Sequence, residues 1–217
     1  MLTIPSALLS RLRRDKSRHR SDFNTATPRS AISAAVLHVD IVGSTDLVRR
    51  NMMLAHQQIQ ALYFRLSHIA TRQNGITREL RGDAAVIQFP RSIDAVTAAL
   101  SIHSTNSLMN STRIGRIAPR LRTGISYGPV IVGDGVITGE AVIRAQRMEQ
   151  LAVPGKVLFD QNTFDELDEK TGFAVHRRDS ENLKGFSEPI TVYEAVNPSA
   201  PSICELSSLF QTLLAAS

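Results

Sequence analysis

The chain predicts an α+β fold with a ferredoxin-like, or palm, antiparallel sheet and flanking helices, because its segments read strand, helix, strand, strand, helix, strand. A second observation is the change of apolar period along the chain, from near-continuous runs to helical spacing and back. A third is size. With 217 residues, 42% of them hydrophobic, the chain can bury one sizeable core. In such a sheet the first and third strands are antiparallel neighbours, so the end of one lies beside the start of the other.

The near-continuous apolar run Ala34 to Ile41 reads as a buried strand. Leu47 to about Gln73 contains no Pro or Gly, and Leu54, Ile59, Leu62, Leu66 and Ile69 recur at roughly helical spacing, which predicts one long helix. Asn74-Gly75 stops it. Ile76 to Arg81 and Ala84 to Phe89 flank Gly82-Asp83 and predict a hairpin with a tight turn, closed by Pro90. Ser92 to about Leu108 is a second helix with Ile93, Val96, Ala99, Leu100 and Ile102 on its core face. Arg120 to Tyr127 alternates as a strand, Pro129 to Gly133 continues as a short one, and Gly139 to Leu151 is a third helix ending before Pro154-Gly155.

The formal charge of +5 is local. Residues 1–30 carry seven Lys or Arg and two acids, which leaves 18 of each sign in the rest of the chain. The organisation expected is a basic, flexible extension over 1–30, one domain over 31–197, and a tail over 198–217 in which Leu206 to Leu214 forms a short amphipathic helix. A nucleic-acid module is disfavoured by three Tyr, no Trp and no basic-aromatic pattern. Cys204 is the one cysteine, so an internal disulfide and a thiolate metal cluster are excluded and a reducing, cytoplasmic setting is expected. No run reaches the roughly 18 apolar residues that a membrane span needs. His38, His56, His68, His103 and His176 lack zinc-ligand spacing.

The chemistry concentrates in two places. An apolar run delivers Asp40 at its tip, and Asp83 opens another beside the Gly82 turn, so the predicted sheet lets the two carboxylates meet. Magnesium is usually held by one or two carboxylates plus substrate phosphates, and two ions can activate an attacking oxygen and stabilise a leaving one. Gly43, Ser44 and Thr45 offer close backbone approach and amide donors at a turn into a helix, which suits phosphate. Either aspartate alone reads as an ordinary turn residue; the two together with the turn read as a site.

These residues resemble the class III adenylate and guanylate cyclase catalytic domain from about Ala34 to Val196. The matching pieces are Val39-Asp40-Ile41-Val42-Gly43-Ser44-Thr45, Arg81-Gly82-Asp83, Leu121 to Val130, Gly139 to Met148, Ala152 to Val157 and Leu183-Lys184-Gly185. The resemblance implies a homodimer with composite sites, two Mg2+ or Mn2+ ions per site on Asp40 and Asp83 with help from the Ile41 carbonyl, and a triphosphate contact at Lys184. It also places at Arg147 the arginine that stabilises the transferring phosphoryl group. Phosphoryl transfer depends chiefly on such positioning and electrostatics.

The family pattern fails at three positions that concern base and ribose. Glu79 stands where adenylate cyclases carry a base-reading Lys, Val136 where they carry an Asp, and Ile143 where an Asn orients the ribose. A carboxylate accepts where lysine donates and valine does neither, so the usual adenine readout cannot form. Glu79 resembles guanylate cyclases, although Arg81 lies on the same strand face and can pair with it. Arg144 and Gln146 are nearby alternatives for the ribose. Bacterial pyrimidine cyclases of the Pycsar antiphage type also combine altered base pockets with retained metal aspartates. The resemblance therefore implies a cyclase making cUMP or cCMP for a separate effector protein. The alternatives are a purine (GTP or ATP) cyclase and a catalytically silent nucleotide-binding domain. Ile143 and Val136 favour silence; Asp40, Asp83, Arg147 and Lys184 favour turnover.

Overall fold

The computed structural model describes residues 31–111, 119–133, 136–168 and 171–197. The expected amino-terminal extension and carboxy-terminal tail with its amphipathic stretch lie outside these residues. In chain order the elements are β1 (Ile32–Val42), α1 (Ser44–Arg50), α2 (Met52–Arg72), β2 (Ile76–Arg81), β3 (Ala84–Phe89), α3 (Ser92–Ser111), β4 (Arg120–Gly133), β5 (Val136–Thr138), α4 (Glu140–Leu151), β6 (Val157–Asp160), α5 (Gln161–Asp165), β7 (Ala174–Glu181) and β8 (Ile190–Val196). The sheet runs β2-β3-β1-β4-β6-β8-β7, with β5 folded back on β4. Its first four strands are the ferredoxin-like arrangement that the element order predicts, and β1 pairs antiparallel with β3 on one side and β4 on the other. Only β4 and β6 pair in parallel among the described strands.

β1 is apolar almost throughout because both of its faces are covered. Leu37, Val39 and Ile41 point to the larger core, with Leu62 and Leu66 of α2, Val96 and Ile102 of α3, and Phe89 and Phe159 of the sheet. Ala34 and Val36 point the other way, onto Ala141 and Ala145 of α4. A third cluster, Met148 with Leu158, Leu183 and Val192, seats the end of α4 on the far side of the sheet. No helix among the described residues is long and apolar enough to cross a membrane.

Three features depart from the sequence reading. The expected single helix from Leu47 to Gln73 is two helices, broken where Asn51 turns extended and its side chain accepts the Leu54 amide at 3.0 Å. Capping a new helix there gives the Leu54 amide the acceptor that a carbonyl one turn back would have supplied in an uninterrupted helix. The first helix accordingly starts at Ser44, directly after Gly43. Residues 120–133 form one continuous strand that runs through Pro129, whose lack of an N–H is tolerated at an exposed position, and β5 then turns Val136 back along its end.

Candidate active site

The hairpin and β1 bring the two predicted carboxylates together. Arg81 pairs with Ala84, leaving a two-residue turn in which Gly82 takes φ 64°, a conformation that only glycine adopts without strain. Asp40 lies opposite Ala84 in the β1–β3 register, and the Ile41 N–H donates to the Asp83 carbonyl at 3.2 Å. The Ser44 hydroxyl donates to Asp83 Oδ2. Gly43 holds φ 75° at the entry to α1, so the backbone turns sharply beside both aspartates. Thr45 follows on the exposed side of the same turn.

Tyr63, absent from the sequence reading, fixes the turn from behind. Its hydroxyl reaches from α2 to the Gly82 carbonyl at 2.7 Å and the Ala84 carbonyl at 3.2 Å, one on each side of Asp83. Burial, and then the charges of Asp83 and Asp40, raise the Tyr63 pKa and keep it the protonated donor that these two carbonyls require.

Arg122 and Glu149 were also missed as site residues, although both belong to segments around the family resemblance. Arg122 on β4 donates Nε and Nη2 to Asp40 Oδ2 at 3.1 and 2.9 Å. The same Nε also faces Glu149 Oε1, a charge contact without the alignment of a hydrogen bond. Glu149 is only 3% exposed, and its second oxygen lies 3.5 Å from His38 Nδ1. An arginine inside a strand beside Leu121 hints at a buried partner; its identity depends on which helix crosses that strand.

Burial raises the Asp40 pKa, the negative charges of Glu149 and Asp83 raise it further, and Arg122 partly offsets them. Converging carboxylates of this kind call for added positive charge. Among the described residues no group of three or more His, Cys, Asp or Glu forms a metal cage. Two carboxylates beside an open turn fit a magnesium-type ion that completes its shell with substrate phosphates and water, and not a structural zinc.

A second cluster sits on α4 and the segment before β8. Arg147 Nε donates to the Lys184 carbonyl at 3.2 Å and its Nη1 to Gln150 at 2.8 Å, while the Lys184 side chain is exposed. Two residues are about 200° of helix, so Arg147 faces away from Glu149, whose carboxylate points inward toward Arg122 and Asp40. The two aspartates and the Arg147–Lys184 pair therefore occupy different faces of one chain.

Two of the three positions expected to meet base and ribose, Val136 and Ile143, are exposed and apolar. Val136 at the start of β5 is 51% exposed and Ile143 on α4 is 49% exposed. Glu79 does pair with Arg81, at 3.7 Å, on the hairpin face that the two-residue period predicts. Arg144 is spent within its own chain: it binds Glu140 at 2.6 Å, lies 3.8 Å from buried Asp160 and stacks 4.9 Å above the Phe186 ring. That removes it as a ready ribose partner and leaves Gln146, which is exposed. Two of the histidines serve elsewhere, His103 on Thr123 and His68 against Phe64.

Residues 27–195 match the family described as adenylate and guanylate cyclase catalytic domain. The chain is 24% identical over 161 residues to the Rhizobium meliloti protein named "Putative adenylate cyclase 3", covering 74% of this chain and 27% of that one. It is 28% identical over 144 residues, 58% of this chain and 7% of the other, to the terminal-differentiation specific adenylate cyclase of Dictyostelium discoideum. The chain thus spans little more than a quarter of these relatives at most. In fold it is similar to the adenylyl cyclase CyaB of P. aeruginosa, with a TM-score of 0.72 and 20% identity over 79% of this chain and 98% of that one. It is similar too to the guanylate cyclase domain of RhGC from Catenaria anguillulae, solved with GTP, with a TM-score of 0.66 and 22% identity over 77% and 97% of the two chains. Paired carboxylates at the β1 tip and the β2–β3 turn, set in this sheet and joined by that match, make the chain a member of the adenylate and guanylate cyclase catalytic domain family.

Proposed function

We propose that this chain converts a pyrimidine nucleoside triphosphate, UTP or CTP, into its 3',5'-cyclic monophosphate and pyrophosphate, by way of composite sites in a homodimer. The observation that carries the cyclase reaction is the meeting of Asp40 and Asp83 beside the Gly43 turn. In the reaction the ribose O3' forms a bond to the α-phosphorus, the bond from that phosphorus to the β-phosphate oxygen breaks, and the O3' proton is lost to solvent. Two Mg2+ or Mn2+ ions on Asp40, Asp83 and the Ile41 carbonyl would supply charge stabilisation for attacking and leaving oxygens. The amides of Gly43, Ser44 and Thr45 cradle phosphate oxygens. From the other subunit, Lys184 holds the triphosphate and Arg147 stabilises charge on the transferring group. The opposed faces of the two half-sites support that division, since one chain cannot turn Arg147 and Glu149 toward the same point.

Support for the pyrimidine comes from Val136 and Ile143. Neither can hydrogen-bond a purine edge or a ribose hydroxyl, and a site that lacks matched polar groups loses discrimination steeply. The Arg81 partner of Glu79 weakens Glu79 as a guanine reader. The role that fits is cytoplasmic synthesis of a second messenger, cUMP or cCMP, for a separate effector in antiphage defence. The test is purified protein with each of the four ribonucleoside triphosphates and Mn2+, products separated by chromatography. UTP or CTP should give the highest kcat/KM, and Asp83→Ala should give no cyclic product. Preference for ATP with both metals overturns the base assignment, GTP preference lost in Glu79→Lys promotes the guanylate reading, and wild-type turnover by Asp83→Ala overturns the metal assignment.

A further inference from the structure

We infer that Arg122 is a positioning residue that acts as an internal counter-cation for Asp40, shared with Glu149, and that a divalent ion must displace it when the site loads. The inference rests on the reading of Asp40 and Asp83 as metal carboxylates.

Three observations carry it. Both donors of the guanidinium edge converge on one oxygen, Asp40 Oδ2, at 3.1 and 2.9 Å. That oxygen is one a cation would use. The same Nε faces Glu149 Oε1, which is buried and has no aligned hydrogen-bond donor. A single N–H cannot serve both oxygens fully, so Asp40 and Glu149 compete for it. Finally the two acceptors differ in what else can reach them: Asp40 lies near a strand tip beside the open Gly43 turn, whereas Glu149, on α4, is buried against the sheet with His38 near its other oxygen.

The consequence is an exchange of partners. With a divalent ion on Asp40 the guanidinium loses its hold there and turns its Nε to Glu149, satisfying a carboxylate that is costly to leave unpaired when buried. With no ion, Arg122 neutralises Asp40 and keeps three converging carboxylates, Asp40, Asp83 and Glu149, from repelling one another. Glu149 thereby helps release Asp40 to the metal. Arg122 competes for Asp40 with the ion, and Glu149 tempers that competition.

The two directions are opposite and can be measured without turnover. Mn2+ alone is titrated into the full chain and free Mn2+ is read by electron paramagnetic resonance, with melting curves recorded in the absence of metal. Glu149→Gln leaves Arg122 wholly on Asp40 and should raise the Mn2+ Kd. The double variant Arg122→Met with Glu149→Gln leaves net charge unchanged, removes the competing cation and should lower the Kd below wild type by about fivefold or more, the lower end of ordinary coupling between linked binding events. Arg122→Lys keeps the charge but loses the planar fork, and should shift the Kd the same way by less; it carries the test if the double variant does not fold. If Arg122 merely braces the sheet, all three variants bind Mn2+ equally or more weakly. Such a result, with wild-type binding abolished by Asp40→Asn, overturns the counter-cation alone. Wild-type protein that binds no Mn2+, or binding untouched by Asp40→Asn, overturns the metal reading as well.

Discussion

Replacing Gly124 by alanine tests whether the site depends on how closely α4 lies on the sheet. Gly124 stands in the middle of β4, opposite His38 of β1 and Leu158 of β6. A Cβ built there would lie 2.1 Å from the Glu149 amide nitrogen and 2.2 Å from the Ala145 carbonyl oxygen, where ordinary contact begins at 3.4 Å. Both neighbours are helix backbone, so no side chain can rotate away; α4 must retreat by about an ångström, or the strand must buckle. Overpacking of this kind costs about 1–3 kcal/mol and occasionally more, and rigid backbone on one side argues for the upper end. For a domain of this size, about 3 kcal/mol corresponds to a fall in Tm of roughly 6–12 °C. Activity should fall further than stability, because α4 carries both Arg147 and the Glu149 that engages Arg122. Differential scanning calorimetry and initial rates well below the mutant Tm check the two parts. Gly133→Ala is the control: it lies in the same strand with nothing within 4 Å of the added Cβ, and should leave Tm within about 2 °C. A Gly124→Ala protein as stable and as active as that control would refute the packing argument.

Tyr63→Phe removes the hydroxyl that spans the Asp83 turn and should cost about 0.5–1.5 kcal/mol of stability. Its apparent Mn2+ requirement should rise at the same time; unchanged metal dependence in rate assays would mean that Tyr63 packs without positioning. His103 is partly buried against Thr123, and burial lowers its pKa from 6.5 to about 4. The unfolded chain therefore binds the extra proton first, so its contribution is complete above pH 6.5 and is lost as pH falls toward 4, on the order of 3 kcal/mol in all. His103→Gln should flatten that acid limb in urea titrations at stepped pH, and an unaltered limb would assign the loss to other groups. Mixing Asp40→Ala with Arg147→Ala should restore up to about one composite site per heterodimer; exchange of subunits, verified by mass, with no return of product would overturn the shared site.

The sequence by itself determined the local facts. The run Ala34 to Ile41, the Gly82-Asp83 turn and the helical period of Ser92 to Leu108 encode elements whose residues are neighbours along the chain, and element order then placed Asp40 beside Asp83. The Glu79–Arg81 pair was legible for the same reason, since a strand's two-residue period needs no knowledge of the rest of the molecule. The break at Asn51 was locally encoded as well, but the apolar spacing on either side obscured the capping residue. What only the tertiary structure decided is how residues far apart in sequence share charge and space. Arg122 had no role until β4 was laid against β1 and α4 across both, which set a buried Glu149 and Asp40 against one guanidinium. Tyr63 likewise became a clamp only when α2 crossed behind the hairpin. Apolar periodicity reports which face of an element is covered and is silent about what covers it, because burial is nondirectional while hydrogen bonds and ion pairs are set by distance and angle between particular atoms.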